Sequence, residues 1–261
     1  MGEDEKDKDW QIAAERYVVY IDIMGFKNMV AAQPPAVIYK MMKEINSSRD
    51  SSARIGLIAG QDKMKFLIKS TTYSDSIMLY SRDSSPMSLD LILLATSRLV
   101  ADLFEKRIPH KGAIACGIMT LDDENSIFFG QPLIDAYLLQ DELHFYGVVA
   151  HHTAELKLTK ENQVGLIQYE CPLKNGGVNH KAVIPIFLHY YFKEEDPTKH
   201  QSLQDGLTSM YFMASGHLRK YYDNTKRYFD YIIEQTHKEH ALMKALKAQE
   251  DSKKPGPTSA S

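Results

Sequence analysis

The chain has 261 residues, 44% of them hydrophobic, with 31 Lys and Arg against 34 Asp and Glu and a formal net charge of -3. That is apolar material enough for one large domain with a real core. The absence of a dense Lys/Arg stripe argues against duplex nucleic acid as a partner. Cys116 and Cys171 lack CxxC spacing, which excludes a zinc site built on them and fits a reducing cytoplasm.

No apolar run reaches membrane-spanning length, so the sequence predicts a soluble cytoplasmic protein with no membrane segment. Residues 1–10 are charged and residues 251–261 are rich in Pro, Gly and Ser, which predicts disorder at both ends. Residues 16–24 read as a buried strand. The stretch "PPAVIYKMMKEINSS" reads as a helix, with apolar residues at helical spacing and prolines at its start. "KMKFLIKSTTYSDSIMLYS" reads as two strands meeting at a polar turn near residues 74–76. Residues 87–107 form an amphipathic helix, "GAIACGIMT" and "IFFG" are strands, and "QPLIDAYLLQDEL" is a helix with Pro132 in its first turn. "QVGLIQYECPL" and "AVIPIFLHYYF", joined by "KNGGVNH", predict a β-hairpin, and residues 202–249 are helical. The order β-α-β-β-α-β predicts a ferredoxin-like α+β core, an antiparallel sheet with helices on one face. Residues 11–200 would form the main domain, and the C-terminal hairpin and a helical extension over 201–250 are additions to that core.

Asp22 stands at the end of the first strand in "VVYIDIMGFKN", and Asp75 in the turn of "TTYSDSIML". The topology makes those elements neighbours, which brings the two carboxylates together. Adjacent carboxylates resist ionising unless a cation lies between them. Hard oxygen ligands of this kind suit Mg²⁺ or Mn²⁺, which fill their remaining positions with phosphate oxygens. Gly25 and Phe26 would offer backbone N–H groups at a helix start, as a phosphate cradle does. Each aspartate also has an ordinary structural reading, Asp22 as a helix cap and Asp75 as turn chemistry. His151, His152, His237 and His240 read as solvated helix histidines, since a metal site would need further ligands.

"YIDIMGF" resembles the "F-A-D-I-x-G-F" opening of class III nucleotide cyclases, and "YSDS" resembles their "I-G-D-A" hairpin turn. "KGAIACG…FFGQPLIDAYLLQDEL" is similar to their "R-I-G-I-H-x-G…G-x-x-V-N-x-A-x-x-L-E" stretch, and together the three blocks cover roughly residues 16–143. The resemblance implies that residues 11–200 are a cyclase catalytic domain. It implies two Mn²⁺ or Mg²⁺ ions per site, held by Asp22, Asp75 and the Ile23 carbonyl. It also implies a head-to-tail homodimer with shared active sites.

The departures are specific. Where purine cyclases read the base with Lys and Asp, this chain has Thr71 and Ile127, and where they carry Asn and Arg it has Ile134 and Leu138. Strand parity puts Thr71 and Tyr73 on the face of Asp75, as candidates for base contacts. Packing within the sheet is the alternative for both. Lys111 is a candidate catalytic cation on the triphosphate, with Lys27 and Lys69 as others, each alternatively a solvated surface lysine. "IPHKGAIACG…IFFGQPLIDAYLLQDEL" resembles the pyrimidine cyclases of bacterial Pycsar anti-phage systems. That resemblance implies UTP, or alternatively CTP, as substrate and cUMP or cCMP as product. It also implies a downstream effector that senses the product. A degenerate, nucleotide-sensing cyclase-like domain is the rival reading. The apolar residues of 207–233 could serve the dimer or pack within the chain.

Overall fold

Strict alternation along the first strand organises the fold. β1 (Ala13–Ile23) sends Tyr17, Val19, Ile21 and Ile23 to one face of the sheet and Val18 to the other, and all five side chains are buried. The computed structural model describes residues 10–59, 64–159, 165–186, 188, 197–212 and 214–252; the expectations for residues 1–9 and 253–261 lie outside these.

The chain continues through α1 (Phe26–Ala32), α2 (Pro35–Ala53), the short strands β2 (Leu57–Ala59) and β3 (Met64–Phe66), and the hairpin β4 (Ile68–Tyr73) and β5 (Ser76–Ser81). α3 (Pro86–Glu105), β6 (His110–Asp122), β7 (Ile127–Gly130), α4 (Gln131–Glu142), β8 (Gly147–Ala150) and α5 (His152–Glu155) follow. β9 (Leu166–Leu173), β10 (Gly176–Val183), α6 (Pro197–Phe212) and α7 (Arg219–Ser252) complete it. The main sheet runs β4-β5-β1-β6-β8-β10-β9, with β7 paired to β6. Its β4-β5-β1-β6 part is antiparallel and has the expected ferredoxin-like order. β8, which the sequence reading did not include, extends the sheet by pairing parallel to β6.

α2 and α3 cover one face of the sheet, placing Ile45, Ile92 and Leu99 against Val19 and Ile21. Each such fully buried aliphatic side chain contributes about 1.5–3 kcal/mol of transfer free energy. α3 starts cleanly because the Ser85 hydroxyl accepts the Ser88 N–H at 3.3 Å, with Pro86 next in line. α4 lies on the other face: Pro132 packs over Gly117, Leu133 over the Val18–Met78–Tyr80 cluster, and the Tyr137 ring meets Tyr20 edge-on at 5.5 Å.

One C-terminal feature differs from expectation. The second hairpin strand is Gly176–Val183, earlier in the chain than the expected "AVIPIFLHYYF", of which residues 187 and 189–192 lie outside the described residues. Lys174 and Asn175 form the two-residue turn, Gly176 opens the second strand with φ +126°, and Pro185 has no N–H to carry the ladder further. At the helical end, read as serving either a dimer or the chain's own packing, most of the apolar residues pack within the chain, while Phe212 and Leu218 stay exposed. Leu207, Met210, Tyr221, Phe229 and Ile232 are buried within the chain. Phe229 packs on Phe104 at 4.9 Å, and the Tyr228 hydroxyl donates to the Val183 carbonyl at 2.8 Å.

Candidate active site

Parity resolves the presence of a carboxylate in β1. Asp22 follows Val18 and Tyr20 on the α4 side of the sheet, one step beyond the packed part of that face. Its neighbours in register are Ser76 on β5 and Lys111 on β6. Asp75 occupies the β4–β5 turn, where Ser74 adopts φ 55°, and its carbonyl accepts the Ile23 N–H at 2.9 Å. The turn is thus pinned to the end of β1, and the two aspartates share one corner of the sheet.

Burial raises the Asp22 carboxyl to about 6, with further upward contributions from Asp75 and Asp141 and an opposing one from Lys111. A half-buried carboxylate held up by a second carboxylate is the donor set a hard divalent cation would relieve. Among the described residues no group of three or more His, Cys, Asp or Glu side chains forms a metal cage. An ion here would therefore have two carboxylates and a backbone carbonyl from the protein, and phosphate oxygens for the rest. The residues fit Mg²⁺ or Mn²⁺ on that condition.

Lys111 is only 5% exposed, and its ammonium donates to the Asp141 main-chain carbonyl at 3.0 Å, at the C-terminus of α4. Burial lowers its proton affinity, opposed by Asp141 and Asp22. Gly25 precedes α1 with φ +78° and open space where a Cβ would stand, so the glycine is there for its backbone angle. Phe26 and Lys27 open the helix, and their N–H groups are among those an α-helix leaves without an internal acceptor. The Lys27 side chain is exposed, while Lys69 is paired with Asp123 at 2.6 Å.

Beside the aspartates lies a cavity of about 640 Å³ between the sheet face, α4 and the β6–β7 turn. Thr71 and Tyr73 line it, with Tyr20, Ser76, Met78, Ser126, Phe128, Leu133, Ile134 and Tyr137. The Tyr20 and Ser76 hydroxyls are hydrogen-bonded at 2.6 Å, which fixes the wall nearest Asp22. Ile127 does not line it; the alternation of β7 turns Phe128 inward, stacked on Tyr80 at 6.1 Å, and leaves Ile127 and Phe129 exposed. Sequence reasoning missed Tyr20, Ser76 and Tyr137. The parity that selects Asp22 also selects Tyr20, but Tyr137 depends on how α4 seats.

No protein-family model matches this chain, and no curated protein matches it. Among solved structures it is similar to the catalytic core of a rhodopsin-guanylyl cyclase with converted specificity, in complex with ATPαS, at TM-score 0.48 and 11% identity over 66% of this chain and 98% of that one. It is also similar to adenylate cyclases from Trypanosoma brucei, at TM-score 0.43 and 14% identity over 66% and 88%. A third similar structure is an adenylate/guanylate cyclase/hydrolase from Silicibacter pomeroyi, at TM-score 0.43 and 12% identity over 66% and 98%. Among the described residues no helix is long and apolar enough to cross a membrane.

Proposed function

We propose that the chain is a nucleotide cyclase of the class III type that converts UTP to 3′,5′-cUMP and pyrophosphate. The observation that carries this reading is the meeting of Asp22 and Asp75 at one sheet corner, beside a nucleotide-sized cavity lined by Thr71 and Tyr73. Asp22, Asp75 and the Ile23 carbonyl would hold two Mn²⁺ or Mg²⁺ ions. When bound, such ions activate a ribose hydroxyl and neutralise the charge of the leaving pyrophosphate.

The remaining work falls to the chain. Lys111 contacts the triphosphate, and the N–H groups at Gly25 and Phe26, with the Lys27 ammonium, attend the phosphates from the start of α1. Thr71 and Tyr73 contact the base. The cavity walls are aromatic, aliphatic and hydroxyl-bearing, with no ionisable carboxylate or ammonium among them, which favours a small neutral pyrimidine over a purine read by Lys and Asp. CTP, giving cCMP, is the alternative, because uracil and cytosine differ by one donor–acceptor exchange that a hydroxyl accommodates.

A homodimer with shared sites is part of the reading. Ile134 and Leu138 are each more than half exposed, at 51% and 56%, on α4 beside the cavity. The product would act in the cytoplasm as a second messenger for an effector in anti-phage defence. One specific observation favours a second reading, a degenerate nucleotide-sensing domain: Ile134 and Leu138 stand where Asn and Arg are expected.

Incubation of the purified protein with Mn²⁺ and each of the four NTPs decides between them. The expected product is a cyclic pyrimidine nucleotide, lost in Asp22→Ala and Asp75→Ala. No product from any NTP overturns the enzymatic reading, and a purine product overturns the reading of the cavity.

A further inference from the structure

Lys111 is not alone at the end of α4. The Asp141 carboxylate lies 3.8 Å from the Lys111 ammonium through Oδ1, and 2.5 Å from the Lys174 ammonium through Oδ2. Lys174 belongs to the β9–β10 turn, in the half of the chain beyond the cyclase-like core. Its position is fixed by the backbone: the Lys174 N–H donates to the Glu142 carbonyl at 2.9 Å, and the His144 N–H donates to the Pro172 carbonyl at 2.8 Å. The hairpin is thus strapped to the C-terminus of α4, and its lysine is delivered to the carboxylate that also attracts Lys111.

One carboxylate between two ammonium groups cannot fully neutralise both. With Lys174 in place, Asp141 is already paired, and Lys111 is held chiefly by the Asp141 main-chain carbonyl at 3.0 Å. Without Lys174, the same carboxylate would turn its charge on Lys111 and draw it away from an incoming phosphate. We propose that Lys174 is a positioning residue: by occupying Asp141 it leaves Lys111 free to engage the triphosphate. This rests on the reading of Lys111 as a triphosphate contact, and it gives the C-terminal hairpin a role in the site.

The test is a double-mutant cycle on the full chain, read by calorimetric binding of inorganic tripolyphosphate in Mg²⁺ buffer. Asp141 and Lys174 are about half exposed, at 51% and 40%, so the effect is modest. Lys174→Met should weaken binding by about three- to fivefold, the range of a partly exposed ion pair. Asp141→Asn combined with Lys174→Met should return to within about twofold of the wild type, because the main-chain carbonyl that holds Lys111 remains. In a Lys111→Met background, Lys174→Met should have no further effect. In the cyclase assay Lys174→Met should raise KM and leave kcat nearly unchanged.

Wild-type binding by Lys174→Met, or a double variant no better than Lys174→Met, overturns the inference. So does an equal loss in the Lys111→Met background, since Lys174 would then act on the anion directly. If Lys111→Met binds tripolyphosphate as tightly as the wild type, the triphosphate role of Lys111 itself fails and the inference falls with it. Absence of cyclase product with the binding pattern intact overturns the proposed reaction and leaves the clasp standing.

Discussion

Asp22 and Lys111 are register partners on adjacent antiparallel strands, yet the lysine only partly offsets the burial and neighbouring carboxylates that lift Asp22 to about 6. The site is therefore unrelieved in the metal-free chain, and this has a thermodynamic signature. A carboxyl whose folded-state value lies above its ordinary 3.8 binds its proton more tightly folded than unfolded. The stability it contributes is fully present below about 3.8 and is lost as pH rises through about 6.

Asp22→Asn should remove that pH dependence. In chelator, the variant should be more stable than the wild type by about 1–2 kcal/mol at pH 8, allowing for partial exposure, and not at pH 4. Adding Mn²⁺ should stabilise the wild type and leave Asp22→Asn unmoved. Urea unfolding at the two pH values, with and without the ion, checks this; equal stability at pH 8 in chelator would remove the electrostatic argument for a cation site.

Tyr73 is 78% exposed although it lines the cavity, so it contributes little to folding. Tyr73→Ala should change stability by less than about 0.5 kcal/mol, as exposed substitutions do. The same change should raise the nucleotide KM by about tenfold, or 1.4 kcal/mol. Thr71→Val keeps the shape and deletes the hydroxyl, and should cost about 0.5–1.5 kcal/mol of nucleotide affinity, one hydrogen bond. If both variants bind UTP as the wild type does, the base lies elsewhere.

Why some of this was legible in the sequence follows from the range over which each feature is determined. Asp22 and Asp75 could be paired because strand order alone makes the end of β1 and the β4–β5 turn neighbours. Thr71 and Tyr73 followed from a period of two along one strand. β8 escaped because "GVVA" is four residues long and gives no periodicity to read. The hairpin's second strand was placed too late because "AVIPIF" is more apolar than "GGVNHKAV", although the tight turn at Lys174 and Asn175, followed by Gly176 at positive φ, governs. Tyr137, Asp141 and Lys174 are set by where α4 and the hairpin turn dock, which no local pattern encodes.

His110, next to Lys111, carries the opposite pH signature. It is fully buried, bonded through Nδ1 to the Ile108 carbonyl at 2.8 Å, and its Nε2 has no hydrogen-bond partner among the described residues. Burial lowers it to about 4, so its stabilising contribution is present above its ordinary 6.5 and is lost as pH falls from there towards 4. His110→Gln should flatten the acid side of the stability curve by about 2–3 kcal/mol between pH 7 and pH 4, while packing loss against Phe104 lowers the whole curve. An unchanged acid slope in the variant would show that other groups set it.

The exposed apolar set around the cavity gives the last prediction. Ile134 and Leu138 are 51% and 56% exposed on α4, and Ile134 also lines the cavity. Apolar side chains so exposed on one rim mark an interaction face. A second copy fits it, because the cavity it borders opens on the same side. Leu138→Glu would desolvate a charge in that contact and should weaken self-association by at least about 2 kcal/mol, or thirtyfold. Its effect on monomer stability should stay within about 0.5 kcal/mol, since the side chain is solvated there. Sedimentation velocity across a concentration series reads the first quantity and urea unfolding the second. Cyclase activity should fall with the dimer fraction and recover at high protein concentration, which a damaged monomer site would not do. A wild-type chain that is monomeric at concentrations where it is fully active would sink the shared-site reading.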